Sequence, residues 1–198
     1  MDYSFNFASV WKYWPLLAEG AWTTVKLTAI TTAAGVLLGV VLASLFTSGP
    51  KWLRAIIAGY VEIIRNTPLL VQAYFVVFGL AWAGARLPLQ VAGTLVLIIN
   101  VGAYTTEIMR AGIESIHRSQ IEAAEALGLT RAQTYLHVII RPAMERVYPA
   151  LTSQYVLLML GSSLLSAVGL NELYGMALRL AGFSFRNFEV FVVIAAVY

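Results

Sequence analysis

The stretch Ser119–Pro142 reads SQIEAAEALGLTRAQTYLHVIIRP, and it is polar in a chain that is otherwise mostly apolar. Ser119 with Glu122 three positions on predicts a capping box, in which each side chain satisfies a free backbone N–H at a helix start. Ala123 and Ala124 then propagate a helix well and give it a face of small side chains that another backbone could approach closely. The first part of the stretch therefore predicts a short, well-capped helix.

A second helix is predicted directly after the first. Gly128 stands where a residue in the left-handed conformation ends a helix without a Cβ clash. Thr130 and Gln133 form a second predicted capping box. The stretch thus predicts two short helices with a sharp bend at Gly128. It is either a well-capped loop between two apolar segments or an element on which another protein docks, and the caps alone leave both interpretations open.

The composition predicts an integral membrane protein. Of the 198 residues, 60% are hydrophobic and only 12% are charged, whereas soluble domains are about half apolar and about a quarter charged. The length suits one all-α bundle of about five membrane spans, since each span needs ~20 residues. The chain has no cysteine, so disulfide and thiol chemistry are excluded. The net charge of +3 is not taken as a sign of nucleic-acid binding, because its placement relative to the spans matters more.

Apolar runs define the predicted organisation as one polytopic domain over residues 1–198. Its spans are predicted at about 25–46, 69–83, 89–109, 148–170 and 188–198, with the polar loop over 111–146. The last run is too short to cross a bilayer, and we expect the natural chain to continue beyond it. Residues 1–14 lack the basic start of a signal peptide, and their aromatic side chains suit the membrane interface.

Small residues in the first span predict close helix packing. Gly35 and Gly39 form a G-x-x-x-G pair, and Ala43 continues the same face. This spacing lets two helices approach closely in lipid. It predicts packing within the bundle rather than chemistry.

Polar residues in the third and fourth spans are candidates for a substrate pathway. In the third span, Asn100, Tyr104 and Glu107 share one helix face. A carboxylate near the membrane is costly unless it is paired or faces water. Arg110, one turn on, is an available partner. An ion pair at the helix end and a role in the pathway both remain open for Glu107.

The fourth span adds three polar candidates, Gln154, Ser162 and Ser163. Serines in membrane helices usually bond to their own backbone or pack tightly. A zwitterionic substrate nevertheless needs donors and acceptors between helices. Packing and a place in the pathway are therefore both possible for these residues.

Three strings resemble one protein family. Glu122-Ala123-Ala124, three residues, Gly128 and an apolar run into Pro142 resemble the "EAA" loop of ABC importer permeases. The proline stands one residue later than in the commonest form of that loop. The strings RNTPLLVQAYF and AYTTEIMRAGIESI, which start at Arg65 and Ala103, resemble the polar amino acid branch of the family.

This resemblance implies a permease subunit of the bacterial inner membrane that works by alternating access. It implies that the loop lies in the cytoplasm and couples transport to ATPase subunits through Ser119, Glu122, Ala123, Ala124, Gly128 and Thr130. It also implies a second permease subunit, identical or homologous, and an extracytoplasmic solute-binding protein. ATP and Mg²⁺ would be bound by the ATPase partner and not by this chain.

Charge placement predicts the same orientation independently. With the loop in the cytoplasm, eight basic residues lie inside: Lys51, Arg54, Arg65, Arg110, Arg118, Arg131, Arg141 and Arg146. Four or five lie outside: Lys12, Arg86, Arg179, Arg186 and, near the outer end of the first span, Lys26. This bias follows the positive-inside rule and predicts an outside N-terminus.

No enzymatic chemistry is predicted for this chain. It has no phosphate-binding Walker A string, no paired Cys/His metal set and no arguable catalytic triad. We therefore predict no catalytic residue, no metal site and no cofactor. The alternative function is a secondary transporter or channel driven by an ion gradient. That alternative would favour paired charges at mid-span and an inverted repeat, and neither is evident in the sequence.

Overall fold

The computed structural model describes residues 4–198, which form helices joined by short connections, with no strand in that range. The first three residues of the predicted N-terminal interfacial segment lie outside the described part. The helices are α1 (Ala8–Lys12), α2 (Trp14–Ser48), α3 (Lys51–Arg65), α4 (Leu69–Trp82), α5 (Leu89–Glu114), α6 (Arg118–Ala126), α7 (Arg131–Val168), α8 (Leu173–Ser184) and α9 (Asn187–Val197). The predicted all-α class is confirmed.

Several of these helices can cross a membrane. Within residues 4–198, α2, α5 and α7 are long and apolar enough to span it, and the broken pair of α3 and α4 adds a fourth span if it crosses as one. The pair breaks at Pro68 because a proline disfavours helical backbone at the residue before it. The apolar α9 is shorter. The predicted membrane helix bundle is confirmed.

The chain forms two compact units, and α2, α5 and α7 each contribute residues to both. Unit one comprises the described residues up to Thr31, Pro68–Leu97 and Leu157–Tyr198. Unit two comprises Thr32–Thr67 and Ile98–Val156.

Unit one is built around α8. A buried cluster joins it to the N-terminal helices and α9 through Val10, Leu17, Leu173, Ala177, Leu180, Ala181, Val190 and Ile194. Glu172, fully buried, accepts hydrogen bonds from the backbone N–H groups of Gly175 (2.7 Å) and Tyr174 (3.0 Å) and from the hydroxyl of Tyr198 (2.9 Å). These donors and the positive end of the helix dipole offset the cost of burying the carboxylate.

Unit two begins with close packing of α2 on α5. A Cβ atom on Gly35 would lie 2.7 Å from Val101 Cγ1, and one on Gly39 would lie 2.5 Å from Thr105 Cγ2. Ala43 is fully buried on the same face. Only residues this small let the two backbones approach so closely, so the predicted packing role of the G-x-x-x-G pair is confirmed.

The core of unit two also brings in α7. Buried side chains from α2, α5, the connection after α5 and α7 form one cluster: Ala43, Met109, Ile113, Ile116, Ala143, Val147 and Leu151. A Cβ atom on Gly112 would lie 2.5 Å from Val147 Cγ1, so the glycine allows α7 to lie close to α5. Ile121 of α6 packs against this cluster as a partly buried residue. The core therefore anchors the short helix of the polar loop.

Candidate functional site: a short helix and a charged cavity

The helix α6 starts differently from the prediction. It begins at Arg118, and the N-cap is His117, whose Nδ1 accepts from the backbone N–H of Ser119 at 3.3 Å. Glu122 does not reach back to the backbone of Ser119. It accepts instead from Arg118 Nε at 3.0 Å, one turn away on the exposed face. The predicted Ser119–Glu122 capping box is wrong, because a preceding imidazole caps the helix and a guanidinium takes the carboxylate.

The turn after α6 follows the prediction. Gly128 has a φ of 76°, in the left-handed region, and its N–H donates to the carbonyl of Glu125 at 2.9 Å. The N–H of Leu129 donates to the carbonyl of Ala124 at 3.1 Å, which closes the helix end. These contacts confirm that the bend is at Gly128.

The second capping box is present, but the helix that it starts is not short. Thr130 Oγ1 accepts from the N–H of Gln133 at 3.3 Å, and Gln133 Oε1 accepts from the N–H of Thr130 at 2.9 Å. From Arg131 the helix α7 continues to Val168 through a wider π-helical turn at Thr134–Ile140. The prediction that the second helix is short is therefore wrong, and the helix runs on through Pro142. The wide turn before it relieves the clash and the lost hydrogen bond that proline brings to a regular helix.

The helix α6 is held by one face and exposed on the other. Ala124 is 4% exposed and Ile121 is partly buried, and α6 packs against Thr134–Ile140 of α7. Glu122 and Ala123 are exposed, and so is Leu127, at 79%. The helix therefore presents to solvent a small surface with both charged and apolar side chains, while its other face is held by packing.

A charged cavity of about 440 Å³ lies in unit two between α3 and α5. It is lined by Phe46, Ile57, Ala58, Val61, Glu62, Arg65, Asn66, Tyr104, Thr106, Glu107 and Arg110. Two of the predicted pathway residues, Tyr104 and Glu107, belong to this lining. Asn100, buried on α5, and Gln154, half-buried on α7, are in the same unit but do not line the cavity.

Glu107 is the centre of an ion-pair network in this cavity. Arg110 donates to its two carboxylate oxygens from Nη2 at 2.6 Å and from Nε at 3.1 Å, so the ion pair, one of the two roles left open for Glu107, is present, and a role in the pathway stays a prediction. Arg110 also donates to Glu114 at 2.7 and 2.8 Å. Arg65 Nη1 approaches Glu107 only to 3.8 Å, and its guanidinium lies 5.5 Å from the ring centre of Tyr104.

Sequence reasoning missed Arg65 and Glu62 as members of this site. Their signal was the amphipathic pattern of α3, in which these two charged residues lie one turn apart on the polar side. That pattern identifies a polar face but not the helix that lies opposite it.

The remaining pathway candidates, Ser162 and Ser163, belong to unit one. Ser162 is fully buried and donates to the carbonyl of Met159 at 2.7 Å. Ser163 donates to the carbonyl of Leu160 at 2.6 Å. Both hydroxyls thus bond within their own helix, which favours packing, and their place in a pathway stays a prediction.

Comparison with known proteins identifies the family. Residues 35–198 match the model of the family described as "Binding-protein-dependent transport system inner membrane component". The chain belongs to this family. It is 32% identical to the glutamine transport system permease protein GlnP of Escherichia coli (strain K12) over 196 residues, which cover 98% of this chain and 90% of the relative. It is 34% identical to the probable glutamine ABC transporter permease protein GlnM of Bacillus subtilis (strain 168), covering 98% and 89%.

Solved structures agree with this assignment. A chain of an amino acid ABC transporter with histidines superposes with a TM-score of 0.89 at 37% identity, covering 99% of this chain and 92% of that one. The MetNI methionine ABC transporter in an inward facing conformation shares the fold, with a TM-score of 0.77 at 20% identity and coverage of 94% and 91%. The chain is thus a multi-pass inner-membrane permease subunit of the ABC type, not an ATPase. Nothing in these likenesses supports a transporter or channel driven by an ion gradient.

Proposed function

We propose that this permease subunit moves polar amino acids or related compounds across the inner membrane by alternating access, driven by ATP hydrolysis in partner subunits. The relatives support the substrate class, because their names include permeases of glutamine and nopaline transport systems. The proposal that ATP hydrolysis is coupled to transport rests on the placement of the helix α6. It is fixed to the core of unit two by one face and leaves the other face open to a partner.

The residues of the loop divide into two roles in this proposal. Glu122 and Ala123 face solvent and would contact the ATPase subunit, and Ser119 lies exposed in the first turn of the same helix. Ala124 packs inward and transmits the motion of α6 to α7. Gly128 and Thr130 set the bend and the start of α7, so that the two helices move as one lever.

The assembly that we propose contains two such permeases, identical or homologous, two ATPase subunits and an extracytoplasmic solute-binding protein. ATP and Mg²⁺ would be bound in the ATPase subunits, and this chain needs no cofactor of its own. The loop would lie in the cytoplasm and the N-terminus outside, as the excess of Lys and Arg on the loop side favours. A reporter fused after Ser48 that reads as periplasmic would contradict this orientation.

The test uses the complete complex in proteoliposomes. The complex is reconstituted with its binding protein, and ATP hydrolysis and uptake are measured across a panel of polar amino acids. We expect at least one amino acid to raise ATP hydrolysis together with uptake. Uptake that proceeds without ATP hydrolysis would overturn the proposal in favour of an ion-driven carrier.

A further inference from the structure

Two opposite charges on α3 face the cavity of unit two, and neither makes a hydrogen bond within the part of the chain that the structure describes. Glu62 and Arg65 lie one turn apart on this helix, and both line the cavity. The Arg65 side chain is 41% exposed and donates no hydrogen bond to any residue within 4–198. The Glu62 carboxylate, also exposed, makes neither an ion pair nor a hydrogen bond with that same part of the chain.

Glu107 does not satisfy Arg65 because it is already bound. Arg110 occupies both of its carboxylate oxygens, at 2.6 and 3.1 Å, whereas Arg65 stays at 3.8 Å, beyond hydrogen-bonding distance. Arg110 is itself engaged by Glu114 at 2.7 Å. Of the two guanidinium groups in the cavity, only that of Arg65 can therefore take a new partner without breaking a short ion pair.

The ring of Tyr104 positions this guanidinium. It lies 5.5 Å from the Arg65 carbon that joins the three nitrogens, within the range of a cation–π contact. Such a contact restrains the side chain while it leaves the N–H donors at the edge of the group. A planar fork held in this way matches a carboxylate, which it can bind through two parallel hydrogen bonds.

The charges of the cavity indicate what kind of ligand it fits. Arg65 and Arg110 balance Glu62 and Glu107, so a ligand with a net charge gains little, whereas a zwitterion can satisfy the two open groups at once. The volume of about 440 Å³ is within the range of small-molecule sites. Phe46, Ile57 and Val61 supply apolar contact beside the charges.

We propose that Arg65 binds the α-carboxylate and Glu62 the α-ammonium of the amino acid in transit. This inference rests on the proposed function and adds the groups that the permease recognises. All α-amino acids share these two groups, so this cavity would select for the zwitterion. Selection among amino acids with different side chains would be made outside this cavity.

The experiment measures binding directly. The purified permease–ATPase complex, without the binding protein, is titrated in a calorimeter with L-glutamine and with L-glutamine α-amide, which lacks the carboxylate charge. We expect the wild-type complex to bind the amide roughly tenfold more weakly, since a charge-assisted pair of hydrogen bonds is lost. Arg65→Gln should weaken binding of L-glutamine by a similar factor and remove the difference between the two ligands, because they lose the same interaction.

Matched variants exclude a general effect of charge or folding. Lys51→Gln removes a cation from the same helix outside the cavity. It should keep both the affinity for L-glutamine and the preference for L-glutamine over its α-amide. Glu62→Gln should weaken the binding of L-glutamine but keep the preference for L-glutamine over its α-amide. Every variant is checked for the amount of copurified ATPase and for its melting temperature.

The outcomes separate this inference from the proposed function. If the wild-type complex transports no amino acid of the panel, the proposed function fails, and the inference fails with it. If it transports glutamine but binds none, or if Arg65→Gln still discriminates between acid and amide, the inference alone is overturned. If another amino acid of the panel is the one transported, that amino acid and its α-amide replace the glutamine pair.

Discussion

Arg146 donates from Nη1 to the backbone carbonyl of Ser115 at 2.6 Å and to the hydroxyl of the same residue at 2.9 Å. Ser115 follows the last residue of α5, where helix carbonyls lack partners within the helix and the dipole is negative. The guanidinium on α7 therefore caps α5 at the point where the chain turns toward α6. A movement of α7 would carry the start of α6 with it.

This contact predicts a local loosening when it is removed. In Arg146→Gln the side chain is uncharged and too short to reach Ser115. The loss of the charge-assisted hydrogen bonds should lower the local stability of this turn by about 1–3 kcal/mol. We expect hydrogen exchange at the backbone amides of Ser115–Ser119 to speed up by about fivefold or more. Exchange is measured by mass spectrometry on the purified complex.

The control for this variant is Arg141→Gln. Arg141 lies on the same helix, and within the described residues its side chain makes only an exposed pair with Glu145 at 3.7 Å, so its loss should leave exchange at Ser115–Ser119 unchanged. Equal exchange in Arg146→Gln and the wild type would show that the contact does not order this turn.

The sequence predicted the second cap and the bend but not the first cap, for a physical reason. Thr130 and Gln133 bond to each other, as the local pattern predicts. Glu122 has a guanidinium one turn before it, and His117 supplies a second possible cap. A capping motif predicts the contact well when no other side chain can cap the helix or bind the same carboxylate. Where several side chains can do so, a single sequence does not show which of them forms the contact.

The charged cavity was predictable only in part. The spacing along α5 placed Tyr104 and Glu107 on one face and gave Arg110 as a partner, because these relations lie within one helix. Arg65 is a neighbour through the packing of α3 on α5, where the hydroxyl of Tyr60 donates to the carbonyl of Ile99 at 2.6 Å. Contacts between helices depend on rotation about each helix axis, which periodicity in one sequence does not fix.

A methyl group at Gly39 should disturb the packing of α2 on α5. The added Cβ of Gly39→Ala would lie 2.5 Å from Thr105 Cγ2, so the helices must shift, at a cost of about 1–3 kcal/mol. We expect a lower melting temperature of the purified complex, measured by thermal unfolding in detergent. Gly59→Ala is the control, because its Cβ would meet no atom within 4 Å. A drop of equal size in both variants would indicate a general effect of alanine rather than a clash.

Gly128 tests whether backbone strain or side-chain size governs the bend. Its Cβ would meet nothing within 4 Å, but its φ of 76° is unfavourable for a residue with a side chain. Gly128→Val should therefore cost about 1–2 kcal/mol through the backbone alone, while Gly128→Asn, whose side chain tolerates this conformation, should cost less. Copurification of the ATPase subunit and coupled transport should fall in the valine variant and be largely kept in the asparagine variant. Equal loss in both would point to crowding at the partner surface.

Glu122 separates docking from stability. Its pair with Arg118 is exposed, with side-chain exposures of 62% and 89%, and such a pair contributes at most about 1 kcal/mol. Glu122→Lys should therefore leave membrane insertion and the melting temperature nearly unchanged. If the Glu122 carboxylate contacts a basic group of the ATPase, reversing its charge should nonetheless reduce substrate-stimulated ATP hydrolysis by roughly tenfold or more, since it would then place like charges across the interface at a cost of several kcal/mol.

Arg118→Ala makes this comparison decisive, because it breaks the same pair but leaves the carboxylate of Glu122 on the surface. If the pair itself mattered, both variants would lose coupling to a similar extent. If Glu122 acts on a partner, Arg118→Ala should keep most of the coupling that Glu122→Lys loses. Normal transport in Glu122→Lys would show that this face of α6 is a solvated surface, and the coupling role would then have to lie on another part of the loop.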